Sequence, residues 1–175
     1  MLSRTKFPVL LFVVASLIGC QRADPWHAPV KAESPSAFSR WRSMASDRIK
    51  PEEWREFDAL LQEIRLRVTA EKQASGSEAV EAAMRSRIDG RSFRDVLIMG
   101  YEAKLQRIEP ERKEVQLAMQ VNTKRVAVER GTDAGAEIQR MREHQMKRMS
   151  QLDAEIAEAK RRMGELRKMM PDGAK

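Results

Sequence analysis

Apart from its charged groups, this chain carries few side chains able to do chemistry. It has 1 Cys and 2 His in 175 residues. Cys20 alone cannot support an internal disulfide framework or a multi-thiolate zinc site. His27 and His144 lie far apart and leave little material for a catalytic histidine cluster. His144 sits among Arg142, Glu143 and Lys147 and reads as an exposed helix residue without further metal ligands. Six methionines, at 141, 146, 149, 163, 169 and 170, are soft donors of the kind copper takes. Three of them, Met149, Met163 and Met170, fall on an apolar seam, where packing explains them. No G-x-x-x-x-G-K-[ST], H-E-x-x-H, G-x-S-x-G or C-x-x-C motif occurs. Ser92 and Ser150 have no sequence context of a nucleophile. Carboxylates are plentiful, but on helices this charged they read as solvated i,i+4 ion pairs. The expectation is a protein that is not an enzyme and holds no cofactor or metal.

The first elements to place are at the N-terminus. Residues 1–6 contain Arg4 and Lys6 and no acid, and residues 7–18 are almost wholly apolar, the pattern of a secretory signal. That run is about twelve residues, short of the ~20 a spanning helix needs. It ends in Leu17-Ile18-Gly19-Cys20, which resembles the lipobox of bacterial lipoproteins. The resemblance implies cleavage before Cys20, a diacylglycerol thioether on its sulfur and fatty acylation (palmitate or a similar chain) of the new N-terminus. It also implies localisation. Gln21 stands where an Asp would favour retention at the inner membrane, so the expectation is a membrane partner reached through the anchor, at the outer membrane facing the periplasm. Residues 1–19 are then signal peptide and 20–36 a lipidated tether, made flexible by Pro25, Pro29 and Pro35. Trp26 and His27 either rest at the membrane interface or are incidental. Residues 37–170 form the domain and 171–175 a tail. As a whole the chain resembles the small helical lipoproteins of bacteria. Only Cys20 carries a role over from that resemblance.

Downstream, the periodicity is helical throughout, and β-branched residues are too few for a sheet core. A short helix is predicted over 37–49, with Phe38, Trp41 and Met44 on one stripe. A second starts at Pro51, which suits a first helical turn, and places Trp54, Phe57, Leu61, Ile64 and Val68 on a heptad-like seam. A third covers 78–88, capped by Ser77. Gly90 ends it and Ser92 caps the next, with Asp95 approximating a capping box. Ile98, Tyr101, Leu105, Ile108, Arg112, Val115, Met119, Asn122 and Val126 then hold one heptad seam. Pro110 lies inside it at a cost of ~3 kcal/mol; because the seam keeps its register across Pro110, a kink is favoured over a break. Gly131-Thr132-Asp133 is a turn. The last helix runs to about Met169, its seam passing through Ile138, Arg142, Gln145, Met149, Leu152, Ile156, Ala159, Met163, Leu166 and Met170.

Two long helices joined by so short a turn should run antiparallel. The fold class is therefore all-α: a long, coiled-coil-like antiparallel hairpin with shorter N-terminal helices packed on one end. A turn centred on Thr132 pairs positions whose numbers sum to about 264. Asn122, Arg142 and Gln145 fall on the seam near the turn, where polar groups fix register at a cost in stability. The apolar half of the hairpin, 93–115 and 149–170, is the surface predicted to bury the aromatic residues of the early helices, with Leu152 and Ile156 beneath them.

The chain has 33 Lys+Arg against 26 Asp+Glu, a formal +7. Lys124, Arg125, Arg130, Arg140, Arg142, Lys147 and Arg148 gather around the predicted tip and are the candidate contacts for an anionic ligand. The alternative is a plain solvated helix face. Export makes nucleic acid a poor partner; the anions of an envelope are phospholipid or lipopolysaccharide headgroups, wall polymers and acidic proteins. Two functions follow as expectations. One is a lipid-anchored, non-enzymatic interaction or structural module with an envelope protein partner. The other is a binder of an anionic envelope ligand at the basic tip.

Overall fold

The computed structural model describes residues 24–71, 76–129 and 131–169. The lipidation candidate Cys20, the tip residue Arg130 and the seam residue Met170 lie outside them. Among the described residues the chain forms α1 (Pro35–Ser46), α2 (Pro51–Ala70), α3 (Ser77–Ile88), α4 (Phe93–Val128) and α5 (Asp133–Lys168). The class is all-α. α4 and α5 have 36 residues each, about 54 Å at ~1.5 Å per residue, and pack against each other as a hairpin.

Short polar side chains start α1, α4 and α5 by taking up amide groups that have no partner within the helix. Ser34 Oγ accepts from the Ala37 amide at 3.1 Å, Ser92 Oγ from Asp95 at 3.0 Å and Thr132 Oγ1 from Gly135 at 3.0 Å. Asp95 completes no box; its carboxylate takes the Arg94 guanidinium at 3.2 Å. Ser77 is not the cap of α3. It is the first helical residue, and Gly76, at φ 89°, makes the turn before it. Pro110 does not break α4, which runs through it.

The core sits at the end of the hairpin away from its turn. Phe57 of α2 stacks on Phe93 at 4.8 Å between ring centroids, Trp54 meets both edge-on, and Trp41 of α1 closes against them. Leu61, Ile64, Met84, Ile88 and Leu97 surround this cluster, and Ala159, Met163 and Leu166 bring α5 into it. Gly100 lets α2 cross close to α4, because a Cβ there would collide with that of Leu60. The covered length of hairpin is shorter than predicted. Ile108 and Leu152 are fully buried but stand outside the aromatic cluster. Ile156 is only half-buried. α2 reaches α4 as far as Arg107, which pairs with its Glu63 at 2.6 Å, while the aromatic rings stay nearer the start of α4.

Residues 24–32 correct a second expectation. This part of the predicted flexible tether is a strap packed on the turn between α3 and α4. Val30 is fully buried; its amide donates to Arg91 O at 2.7 Å and its carbonyl accepts from Gly90 at 2.8 Å. The carbonyls of Ala28 and Trp26 accept from the Phe93 and Arg94 amides at 3.3 and 3.1 Å. Trp26 packs edge-on against Phe93 at 5.4 Å. Proline removes a donor but leaves its neighbours' carbonyls free, and the start of α4 is a row of donors in need of acceptors.

The register agrees with the sequence. Lys104 pairs with Glu155, Arg112 with Asp153, Arg148 with Glu111, Lys160 with Glu109 and Arg167 with Glu102. Each pair of numbers lies within about five of the predicted sum. Such half-exposed pairs contribute only ~0–1 kcal/mol each, so the buried seam must carry the stability. Leu152→Ala is therefore expected to cost ~2–5 kcal/mol, against about ±0.5 kcal/mol for the exposed Glu143→Ala. Urea denaturation of both variants measures the contrast; equal, mild effects would put the register in error.

Candidate interaction surface on the outer half of the hairpin

The tip is built by a tight turn. Gly131 takes φ 86°, and the Glu129 carbonyl accepts from the Thr132 amide at 3.2 Å and its hydroxyl at 2.7 Å. Gly135 sits so close to that carbonyl that a Cβ would collide with it. Ile138 closes the seam at the tip, 3 % exposed. One turn below, the polar layer anticipated from sequence is present. Asn122 is buried and donates through Nδ2 to Gln145 Oε1 at 3.2 Å. Arg142 leans into the same layer and donates to Gln139 Oε1 at 3.0 Å, while its Nε is buried without a partner.

The basic candidates separate into groups. Lys124, Arg125, Arg140 and Lys147 are exposed, and none has an acidic partner among the described residues. Arg142 is turned toward the seam. Arg148 is bound across the hairpin to Glu111 at 2.6 Å, which leaves it poorly placed to bind anything else. At 100° per residue, Lys124 lies opposite the seam on α4, and Arg140 and Lys147 lie opposite the seam on α5. They therefore face opposite sides of the arm and do not form one cluster. The contrast with the base is sharp. From residue 148 down α5, and from 112 back along α4, Lys104, Arg107, Arg112, Arg148, Lys160, Arg161, Arg162 and Arg167 all hold carboxylates.

Sequence reasoning missed one feature here. Leu117, Val121 and Val128 are exposed on α4, on the side away from α5. The signal lies in the spacing: the residues recur at intervals of four and seven, but off the heptad seam.

The described residues hold one close constellation of acid, phenol and guanidinium, at the base. The Tyr101 hydroxyl donates to Glu56 Oε1 at 2.5 Å, and Arg162 donates to both oxygens of Glu56, at 3.1 and 2.6 Å. Glu165 takes the other side of Arg162 at 2.9 Å. Every member is already bonded, and the group joins α2, α4 and α5, so it acts as a latch. Burial first, then the Glu56 bond, pushes the Tyr101 phenol well above its ordinary 10.0. The Glu56 bond raises Arg162, and the Arg162 bond lowers Glu165 below the usual carboxylate range. Among the described residues no group of three or more His, Cys, Asp or Glu side chains is placed to hold a metal ion. No described helix is long and apolar enough to cross a membrane.

Compared with protein-family models, curated proteins and solved structures, the chain matches none. What it can do must be read from its own geometry.

The Tyr101 shift has a pH consequence. A group whose folded pKa is raised stabilises fully below its unfolded value and loses that contribution as pH climbs. Thermal melts should therefore fall from about pH 10 upward. Tyr101→Phe should be less stable than the parent at neutral pH, having lost the bond to Glu56, and should show a shallower alkaline decline. An unchanged decline in the Phe variant would show that the latch does not titrate in this way.

Proposed function

We propose that this chain is a lipid-anchored protein of the bacterial envelope, held at the outer membrane through Cys20, whose bare helical arm is a non-enzymatic interaction module. The single observation that carries the reading is the length of hairpin left uncovered. The aromatic core takes in α5 only from Ala159 onward, so most of both long helices stands outside it. An arm of this length is suited to presenting surface to a partner.

The lipobox resemblance at 17–20 supports the anchor, and the strap adds a geometric consequence. Four peptide units separate Cys20 from Asp24, the first described residue, and these reach at most ~14 Å. A lipid on Cys20 would keep the base of the bundle close to the bilayer. The tip would then reach as far as about 54 Å from it, the full length of the arm. A second reading, an anionic envelope ligand bound by the arm, is favoured by Lys124, Arg125, Arg140 and Lys147, exposed and without an acidic partner among the described residues.

Metabolic labelling of the full chain with a fatty-acid analogue tests the anchor, and a photo-crosslinking residue at position 140 in the same cells tests the arm. The parent should take up label and give a discrete protein adduct; Cys20→Ser should give an unprocessed, unlabelled precursor without that adduct. Label retained in Cys20→Ser would sink the anchor. An adduct from a base position such as 160, and none from 140, would sink the arm as the contact surface.

A further inference from the structure

We propose that the outward face of α4 over 110–128 lies on an anionic lipid surface. This deepens the second reading above and rests on it for the charge of the ligand, but it moves the contact from the tip to one side of the arm.

Leu117, Val121 and Val128 are 62 %, 56 % and 83 % exposed. Successive residues turn by 100°, so positions four and eleven apart fall within about 40° of each other. The three side chains therefore make one stripe. Val115, Met119, Asn122 and Val126, on the other side of the same turns, face α5. Beside the stripe stand Lys113, Lys124 and Arg125, all exposed and all without an acidic partner among the described residues. Between 113 and 125 the only carboxylate on the helix is Glu114. An apolar stripe edged by free cations is the pattern of a helix that lies in a bilayer interface, its aliphatic side chains entering the headgroup boundary and its ammonium and guanidinium groups meeting lipid phosphates.

A second copy is a poorer occupant. A stable dimer buries ~800 Å² on each partner, and three aliphatic side chains supply a fraction of that. Pairing the stripe with itself would also bring like cations together across the symmetry axis, with Glu114 alone to offset them. An anionic surface meets the same cations with opposite charge and needs only shallow insertion. The outward face of α5, with Arg140, Glu143, His144 and Lys147, carries no aliphatic stripe and stays free for a protein partner.

Residues 21–175 contain every contact described above and so keep the whole core; they also contain no cysteine. Val121→Cys in this piece accepts a single environment-sensitive fluorophore, and Arg140→Cys gives the control on α5. Flotation with vesicles of phosphatidylglycerol and phosphatidylcholine, against phosphatidylcholine alone, measures binding. Binding to the anionic vesicles only, with a blue shift at 121 and none at 140, is expected. Leu117→Ser/Val121→Ser/Val128→Ser should weaken it at least tenfold with an unchanged helical spectrum, and Lys124→Glu/Arg125→Glu should abolish it. If the Ser variant binds as well as the parent while the Glu variant does not, the second reading survives and this face is not the contact. If the parent ignores both vesicles, this proposal fails along with a phospholipid ligand for the arm. If the parent instead sediments as a dimer that the Ser variant dissolves, the stripe belongs to a second copy and the proposal is overturned.

Discussion

The stacking of Phe57 on Phe93 is the contact on which the rest of the molecule depends. Phe93 is the first residue of α4, and Phe57 lies in the first half of α2. Their faces meet at 4.8 Å, fully buried. Around that pair Trp41 brings in α1, Trp54 seals the edge and Trp26 draws the strap across the top. Aromatic pairs of this geometry add ~0.5–1.5 kcal/mol beyond the area they bury. Five rings meeting at one helix start therefore fix where α4 begins and which way it points. α5 is attached second, through Ala159, Met163 and Leu166 and through the latch of Arg162 on Glu56 and Tyr101.

Beyond that base the chain has only its seam. Ile108 and Leu152, fully buried, hold the middle of the arm, with Val115, Met119 and Met149 half-buried beyond them, and the polar layer of Asn122 and Gln145 follows. That layer specifies register more than it stabilises. The ion pairs across the hairpin stop at Arg112 and Arg148. From there to the turn no ion pair is formed among the described residues, although both signs of charge are present. A surface meant only for solvent would gain from local pairing; here the free cations border the exposed aliphatic stripe of α4.

Much of the architecture was legible in the sequence because heptads are read directly from spacing. The seam residues of α4 and α5, the turn at Gly131 and Thr132, the Ser92 cap and the antiparallel register all follow from it. The strap was not legible. Pro25, Pro29 and Pro35 look like a tether when only their missing donors are considered, and only the fold supplies the amides of Phe93 and Arg94 that their neighbours' carbonyls accept. The covered length of the arm was overestimated, since seam periodicity tells which face is apolar but not how far a neighbour reaches. The candidate site was legible as composition and not as geometry. Seven basic residues cluster in number, yet Arg148 is spent on Glu111, Arg142 turns inward, and Lys124 and Arg140 point to opposite sides. Leu117, Val121 and Val128 went unread because they lie off the seam.

A stable aromatic base carrying a lightly held arm is a statement about where free energy resides, and hydrogen exchange along α4 and α5 measures it most directly. Local opening costs more where buried contacts are dense. Amides over 93–108 and 152–166 are expected to exchange slowest, at the rate of global unfolding. Those over 117–146 should exchange orders of magnitude faster through local opening of the arm. Protection of equal depth from base to tip would contradict a stability seated at the base.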